Sequence, residues 1–132
     1  MIFSKKDRRK ELGSEGEDIA VNFLKKKGYK IIQRNYRCKY GEIDIIAEQN
    51  KVIAFIEVRT VQSENFGIPQ DFITKIKTDH ISKTALNYIK NESLFESPCR
   101  FDLIAITFSP TSPEPKIEHI ENAFELSNIY KY

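Results

Sequence analysis

The chain has 132 residues, 40% hydrophobic and 30% charged, with five Gly and five Pro. That suits one domain around one core and excludes collagen-like, low-complexity and wholly disordered chains. The formal net charge of +2 conceals a gradient: residues 1–40 carry +7, residues 41–90 carry −1 and residues 91–132 carry −4.

A basic front end suits a polyanionic partner and a carboxylate-bearing middle suits a metal ion, the plain alternative being a solvated lysine-rich helix face. No apolar run approaches the length needed to span a membrane. The first residues, with Lys5, Lys6, Arg8, Arg9 and Lys10 close behind Met1, lack the apolar core of a signal peptide. A single-domain, soluble, cytoplasmic protein without membrane contact is expected. Two cysteines cannot build a disulfide framework, and neither has a metal-ligand partner at the right spacing. Cys38 and Cys99 are expected to be buried or half-buried small hydrophobes, with paired reactive thiols as the alternative.

Residues 1–11 read as frayed or weakly helical. Leu12, Ile19, Ala20, Phe23 and Leu24 recur at helical spacing, so a helix is predicted from Leu12 to Lys27, closed by Gly28. Tyr29–Arg34 is predicted as a strand and Asn35–Tyr40 as a basic, aromatic turn. Gly41–Glu48 and Val52–Arg59 are predicted strands joined through Asn50 and Lys51, since Asn tolerates the left-handed backbone of a tight hairpin. Val61–Asp71 reads as a polar loop and Thr74–Lys90 as a second amphipathic helix. Arg100–Phe108 is a predicted strand, Lys116–Ile120 an edge strand and Ala123–Tyr132 an aromatic tail. The order α-β-β-β-α-β, with that edge strand and tail over residues 109–132, implies an α/β fold with a mixed central sheet flanked by helices.

The chemistry is expected where carboxylates interrupt the apolar strands. Regular alternation places Ile43, Ile45 and Ala47 on one face and Glu42, Asp44 and Ile46 on the other. A hairpin turning on Asn50 and Lys51 then sets Asp44 across from Glu57. Like charges so placed are destabilising unless a cation lies between them. With Arg59 on the same face, the pair reads as a site for a hard divalent ion such as Mg²⁺, the plain alternative being a solvent-facing sheet end with exposed charges. Glu17 borders the apolar stripe of the first helix and is a third candidate, unless it simply reaches solvent or a lysine. His80 and His119 complete no ligand set, and Asp102 is expected to pair with Arg100 or another basic neighbour.

Four segments carry a family resemblance: Gly16-Glu17-Asp18-Ile19-Ala20, Arg34-Asn35-Tyr36-Arg37-Cys38, Gly41-Glu42-Ile43-Asp44-Ile45-Ile46-Ala47 and Phe55-Ile56-Glu57-Val58-Arg59. Phe66-Gly67 and Cys99-Arg100-Phe101-Asp102 continue it. The chain resembles the YraN-like family of uncharacterised bacterial proteins. That family looks like a branch of the restriction-endonuclease-like PD-(D/E)xK superfamily, similar to archaeal Holliday junction resolvases. The resemblance implies a restriction-endonuclease-like fold and a Mg²⁺- or Mn²⁺-dependent nuclease acting on DNA, with branched DNA in repair or recombination as a candidate substrate. It places metal ligands at Asp44, Glu57, the Val58 carbonyl and Glu17, with Glu17, Asp44, Glu57 and Arg59 as the catalytic set. By analogy with the resolvases it also implies a homodimer. Arg59 stands where the superfamily carries lysine. An arginine does not act as a general base, although it can hold a phosphate, and Lys75 or Lys77 are the candidates for a replacement ammonium.

Arg34, Tyr36, Arg37, Lys39 and Tyr40 interleave cations with rings, and with Lys25, Lys26 and Lys27 form the expected nucleic-acid contact set. A non-catalytic nucleic-acid-binding protein with a decayed site is the alternative. A protein-interaction subunit using Phe124, Ile129 and Tyr130 is the third reading.

Overall fold

The computed structural model describes the backbone of residues 5–62 and 75–125, and the side chains of residues 14–62 and 78–125. The chain order is α1 (Lys5–Lys26), β1 (Lys30–Cys38), β2 (Gly41–Gln49), β3 (Val52–Gln62), α2 (Lys75–Asn91), β4 (Cys99–Phe108) and β5 (Lys116–Phe124). One five-stranded sheet has the spatial order β1-β2-β3-β4-β5. Its pairs are antiparallel except β3–β4, which is parallel and is bridged by α2 as a parallel crossover requires. Most of the predicted loop 61–71, Phe66-Gly67 and residues 126–132 of the tail lie outside the described residues, as do the side chains of Lys75 and Lys77.

The two helices cover opposite faces. Ala20, Val21 and Leu24 of α1 pack on Ile45, Ala47, Ala54, Ile56, Val58, Ile104 and Ile106. Ile81, Ala85, Tyr88 and Ile89 of α2 pack on Ile43, Ile46, Ile53, Phe55 and Phe101. Helix α1 ends as expected at Gly28, whose φ of 92° is open to glycine. Tyr29 N–H donates to the Leu24 carbonyl and Gly28 N–H to the Lys25 carbonyl, which is the Schellman closure. The hairpin register is also as expected, with Gln49 opposite Val52 and Ile45 opposite Ile56. Asn50 and Lys51 take φ of 53° and 66°, the left-handed pair of a two-residue turn.

Six expectations need correction. Helix α1 begins at Lys5 rather than Leu12, and β3 continues past Arg59 to Gln62, so Val61 and Gln62 belong to a strand paired with Thr107 and Phe108 rather than to the loop. Strand β1 does not stop at Arg34: Asn35 takes φ of 52° and absorbs a kink, so pairing with β2 continues to Cys38 and the turn shrinks to Lys39 and Tyr40. Ile43 does not share a face with Ile45 and Ala47 but joins Ile46 beneath α2, so alternation in β2 breaks around Asp44. Strand β5 extends through Phe124, taking Ala123 and Phe124 from the expected tail. Cys99 is exposed rather than buried, while Cys38 is half-buried.

Gly16 explains how close α1 lies to β3. A Cβ built there would stand 2.1 Å from Thr60 Cγ2. Alanine normally improves a helix interior by about 1 kcal/mol over glycine, but overpacking costs about 1–3 kcal/mol. Gly16→Ala is therefore expected to destabilise the wild type in urea titration, and to become neutral or stabilising with Thr60→Ser, which deletes the methyl. Equal effects in both backgrounds would contradict this packing.

Candidate active site

A two-residue hairpin closed at Gln49–Val52 makes alternate pairs hydrogen-bonded, so after Ile45–Ile56 the next such pair would be Ile43–Val58. The ladder ends at Ile45–Ile56, so neither that pair nor the expected opposition of Asp44 to Glu57 forms part of it. Val58 N–H instead donates to Asp44 Oδ2 at 2.8 Å. Asp44 is thus set into the split between β2 and β3, in a slot that a backbone carbonyl would fill in a continued ladder. The N–H and C=O of such a strand residue face the same neighbour, so the Val58 carbonyl faces the same split.

Glu57 lies beside this split and is 9% exposed. Its Oε1 is 2.5 Å from Arg59 Nη1. Burial pushes the Glu57 carboxyl above its ordinary value, Arg59 pulls it down, and Glu42 adds to the rise. Asp44 is pushed up to about 7, first by burial and then by Glu57, with Glu17 adding and the Val58 hydrogen bond and Arg59 opposing.

Glu17 approaches from α1. Its carboxyl is raised by burial, opposed by Arg34, and raised further by Glu42. Arg34 Nη2 is 2.8 Å from Asp18 Oδ1 and 3.9 Å from Glu17 Oε1. Glu17 Oε1 is buried without a hydrogen-bond partner. Glu17 and Asp44 share an open cavity of about 650 Å³ with Ser14, Arg34, Asn35, Arg37 and Glu42.

Among the described residues no three of His, Cys, Asp and Glu converge as a finished ligand set. Asp44 faces Val58 N–H and Glu57 faces Arg59 instead. The donor chemistry nevertheless fits a hard divalent ion: carboxylate oxygens at Asp44 and Glu57, a carbonyl at Val58, and the orphaned Glu17 oxygen nearby. A cation there would offset the repulsion and desolvation that raise Asp44 and Glu57.

The expected nucleic-acid set divides between the two faces. Lys25 and Lys26 are exposed on the last turn of α1, while Lys27 Nζ is 2.8 Å from His119 Nδ1. Arg34 and Arg37 border the acidic cavity, Arg37 Nε lying 3.3 Å from Glu42 Oε2. Tyr36 turns inward: its hydroxyl donates to Asn87 Oδ1 at 2.5 Å and its ring meets Tyr88 edge-on. Lys39 and Tyr40 are exposed and rest on the α2 side, where His80 Nδ1 donates to the Tyr40 carbonyl at 3.2 Å.

His119 is structural, at the centre of a buried network whose partners the sequence does not name. An ammonium only donates, so His119 Nδ1 accepts from Lys27 and Nε2–H donates to Asp102 Oδ2 at 2.9 Å. Asp102 also accepts from Arg100 Nε at 3.0 Å, the pairing expected from sequence, and from Asn122 N–H at 3.1 Å. Arg100 reaches Tyr29 and Glu121 in turn. An aspartate inside an apolar strand was the available signal; its partner lies on β5.

The model of the uncharacterised protein family UPF0102 matches residues 16–106. A UPF0102 protein of Geobacter metallireducens is 48% identical over 118 residues, covering 89% of this chain and 95% of that protein. Relatives in Geobacter sulfurreducens and Caldicellulosiruptor saccharolyticus are 45% and 40% identical, covering 89% and 88% of this chain and 91% and 98% of theirs. The chain belongs to the UPF0102 family, the YraN-like group that its motifs resemble. No helix among the described residues is long and apolar enough to cross a membrane.

Proposed function

We propose that this protein is a divalent-metal-dependent nuclease acting on DNA, with branched DNA of the Holliday-junction kind as a candidate substrate. The observation that supports it most is the Asp44 carboxylate set into the split between β2 and β3, beside buried Glu57 and opening on a cavity with Glu17, Arg34 and Arg37. Asp44, Glu57, the Val58 carbonyl and Glu17, directly or through water, would hold Mg²⁺ or Mn²⁺. The ion would supply Lewis acidity that acidifies an attacking water and stabilises the leaving oxygen. Arg59 would hold the scissile phosphate in line, since its guanidinium stays charged. Arg34 and Arg37 would neutralise flanking phosphates. Cutting both strands of a junction takes two such sites, which a homodimer would provide.

The test is cleavage of labelled DNA substrates, including a four-way junction, in Mg²⁺, Mn²⁺ and EDTA. Metal-dependent cutting that vanishes in both Asp44→Asn and Glu57→Gln is expected. Equal cutting by wild type and variants would mean a contaminant and refute the proposal. The Glu57–Arg59 ion pair favours one second reading, a nucleic-acid-binding protein whose arginine has taken the cation's place. DNA binding without cutting would select it.

A further inference from the structure

We propose that the cavity between Tyr40 and α2 is a binding subsite for a single nucleic-acid strand, on the opposite side of the sheet from Glu17. This rests on the nucleic-acid reading above and adds a place where the strand is gripped. Tyr40, Lys83, Leu86, Asn87 and Lys90 line a space of about 410 Å³. The four α2 residues follow the spacing of one helix face.

Every side-chain polar group contributed from α2 is a donor. Lys83 and Lys90 are cations. Asn87 Oδ1 is taken by the Tyr36 hydroxyl at 2.5 Å and Asn91 Nδ2 at 3.2 Å, so Asn87 keeps its amide N–H groups for a ligand. Among the described residues no carboxylate lines the cavity. Such a set selects an anion. Lys83 and Lys90 stand two helical turns apart, about 10 Å along the axis, which suits a charged strand better than one isolated anion.

Tyr40 adds what a simple anion would not need. Tyr40 is 37% exposed as a residue, with Lys39 Nζ 5.1 Å from its ring centroid as a third cation. Its backbone is fixed: the Tyr40 carbonyl accepts from His80, and Gly41, at φ 150°, lies so close to α2 that a Cβ would be 3.2 Å from Thr84 Oγ1. A held aromatic ring among cations is the arrangement on which unpaired bases stack while phosphates are neutralised. An acidic peptide would use the lysines but not the ring.

The experiment is fluorescence anisotropy of a short labelled single-stranded DNA in EDTA, across a salt series. Lys83→Gln/Lys90→Gln is expected to weaken binding about tenfold or more and to reduce the slope of log K against log salt by about 1.4, two phosphates' worth for a single strand. Tyr40→Ala is expected to lose about tenfold with the slope unchanged, and Tyr40→Phe to retain most of the affinity. Lys30→Gln/Lys51→Gln, on exposed lysines elsewhere, controls for net charge and should bind nearly as wild type. Wild-type affinity in the α2 and Tyr40 variants, equal loss in the control pair, or equal competition by poly-glutamate would each overturn the proposal. Because no metal is present, failure to cut DNA leaves this result standing, and failure here leaves the cleavage test standing.

Discussion

Asp44→Asn is expected to make the metal-free protein more stable at pH 8, by about 2–4 kcal/mol. Desolvation, and then the neighbouring Glu57 charge, push the carboxyl of half-buried Asp44 up to about 7 from an ordinary 3.8. A raised carboxyl pKa means that the native state holds its proton more tightly than the unfolded chain. The associated stability is fully present below pH 3.8 and declines as pH rises through 7. A tenfold difference in proton affinity between the folded and unfolded chain is worth about 1.4 kcal/mol, which sets the upper end of the expected gain. Asn removes the charge while its Oδ1 can still accept from Val58 N–H. Urea titrations at pH 4 and pH 8 should therefore show little difference between wild type and variant at the lower pH and a clear gain at the higher. A variant destabilised equally at both would mean that Asp44 serves only as a hydrogen-bond acceptor.

The same measurement separates a functional carboxylate from a structural one. If Asp44 is kept charged to hold a divalent ion, Mn²⁺ should raise the wild-type melting temperature at pH 8, less at pH 5, where a proton competes, and not at all in Asp44→Asn. No Mn²⁺ response at pH 8 in the wild type would refute the metal assignment and leave the Arg59 pairing as the reason buried Glu57 persists beside half-buried Asp44.

Local chemistry made much of this legible. Asn50-Lys51 specified a two-residue turn, and from that turn the register of β2 on β3 follows by counting. Gly28 marked the end of α1, and the apolar spacing of both helices identified the faces they bury. What stayed hidden depended on contacts distant in sequence. Asn35 reads as a turn residue, yet β2 pairs through it and makes it a kink within a strand. Strict alternation put Ile43 with Ile45, because nothing local shows that Asp44 gives its carboxylate to Val58 in place of a ladder bond. Tyr36, grouped with the exposed rings of a basic turn, is taken inward by Asn87 and Tyr88 from α2. The partners of His119 were not legible because Asp102 and Lys27 reach it across 17 and 92 positions of sequence.

Asp102→Ala is expected to cost about 3–5 kcal/mol, the range for removing one partner of a buried ion pair. Asp102 is fully buried, and its two oxygens collect Arg100, the His119 imidazole and Asn122 N–H. Asn122 has φ of 53° where the β4–β5 register shifts between Phe101 and Leu103, so the carboxylate supplies an acceptor to a backbone donor at the bulge. Without it, a nearly buried guanidinium, a buried ring N–H and that bulge donor face each other with no acceptor between them. Asp102→Asn should recover only part of the loss, since it returns one acceptor and adds a donor among donors. The pH dependence runs opposite to that of Asp44. Burial pushes the Asp102 carboxyl up, but the bonds from His119, Arg100 and Asn122 outweigh it and hold the group below 3.8. Its contribution is present above that value and is lost as pH falls through the folded pKa. Urea midpoints measured down to pH 3 should therefore fall more steeply with acid in the wild type than in Asp102→Ala. A loss below about 1 kcal/mol in the alanine variant would mean that water replaces the carboxylate and that the network does not anchor β5.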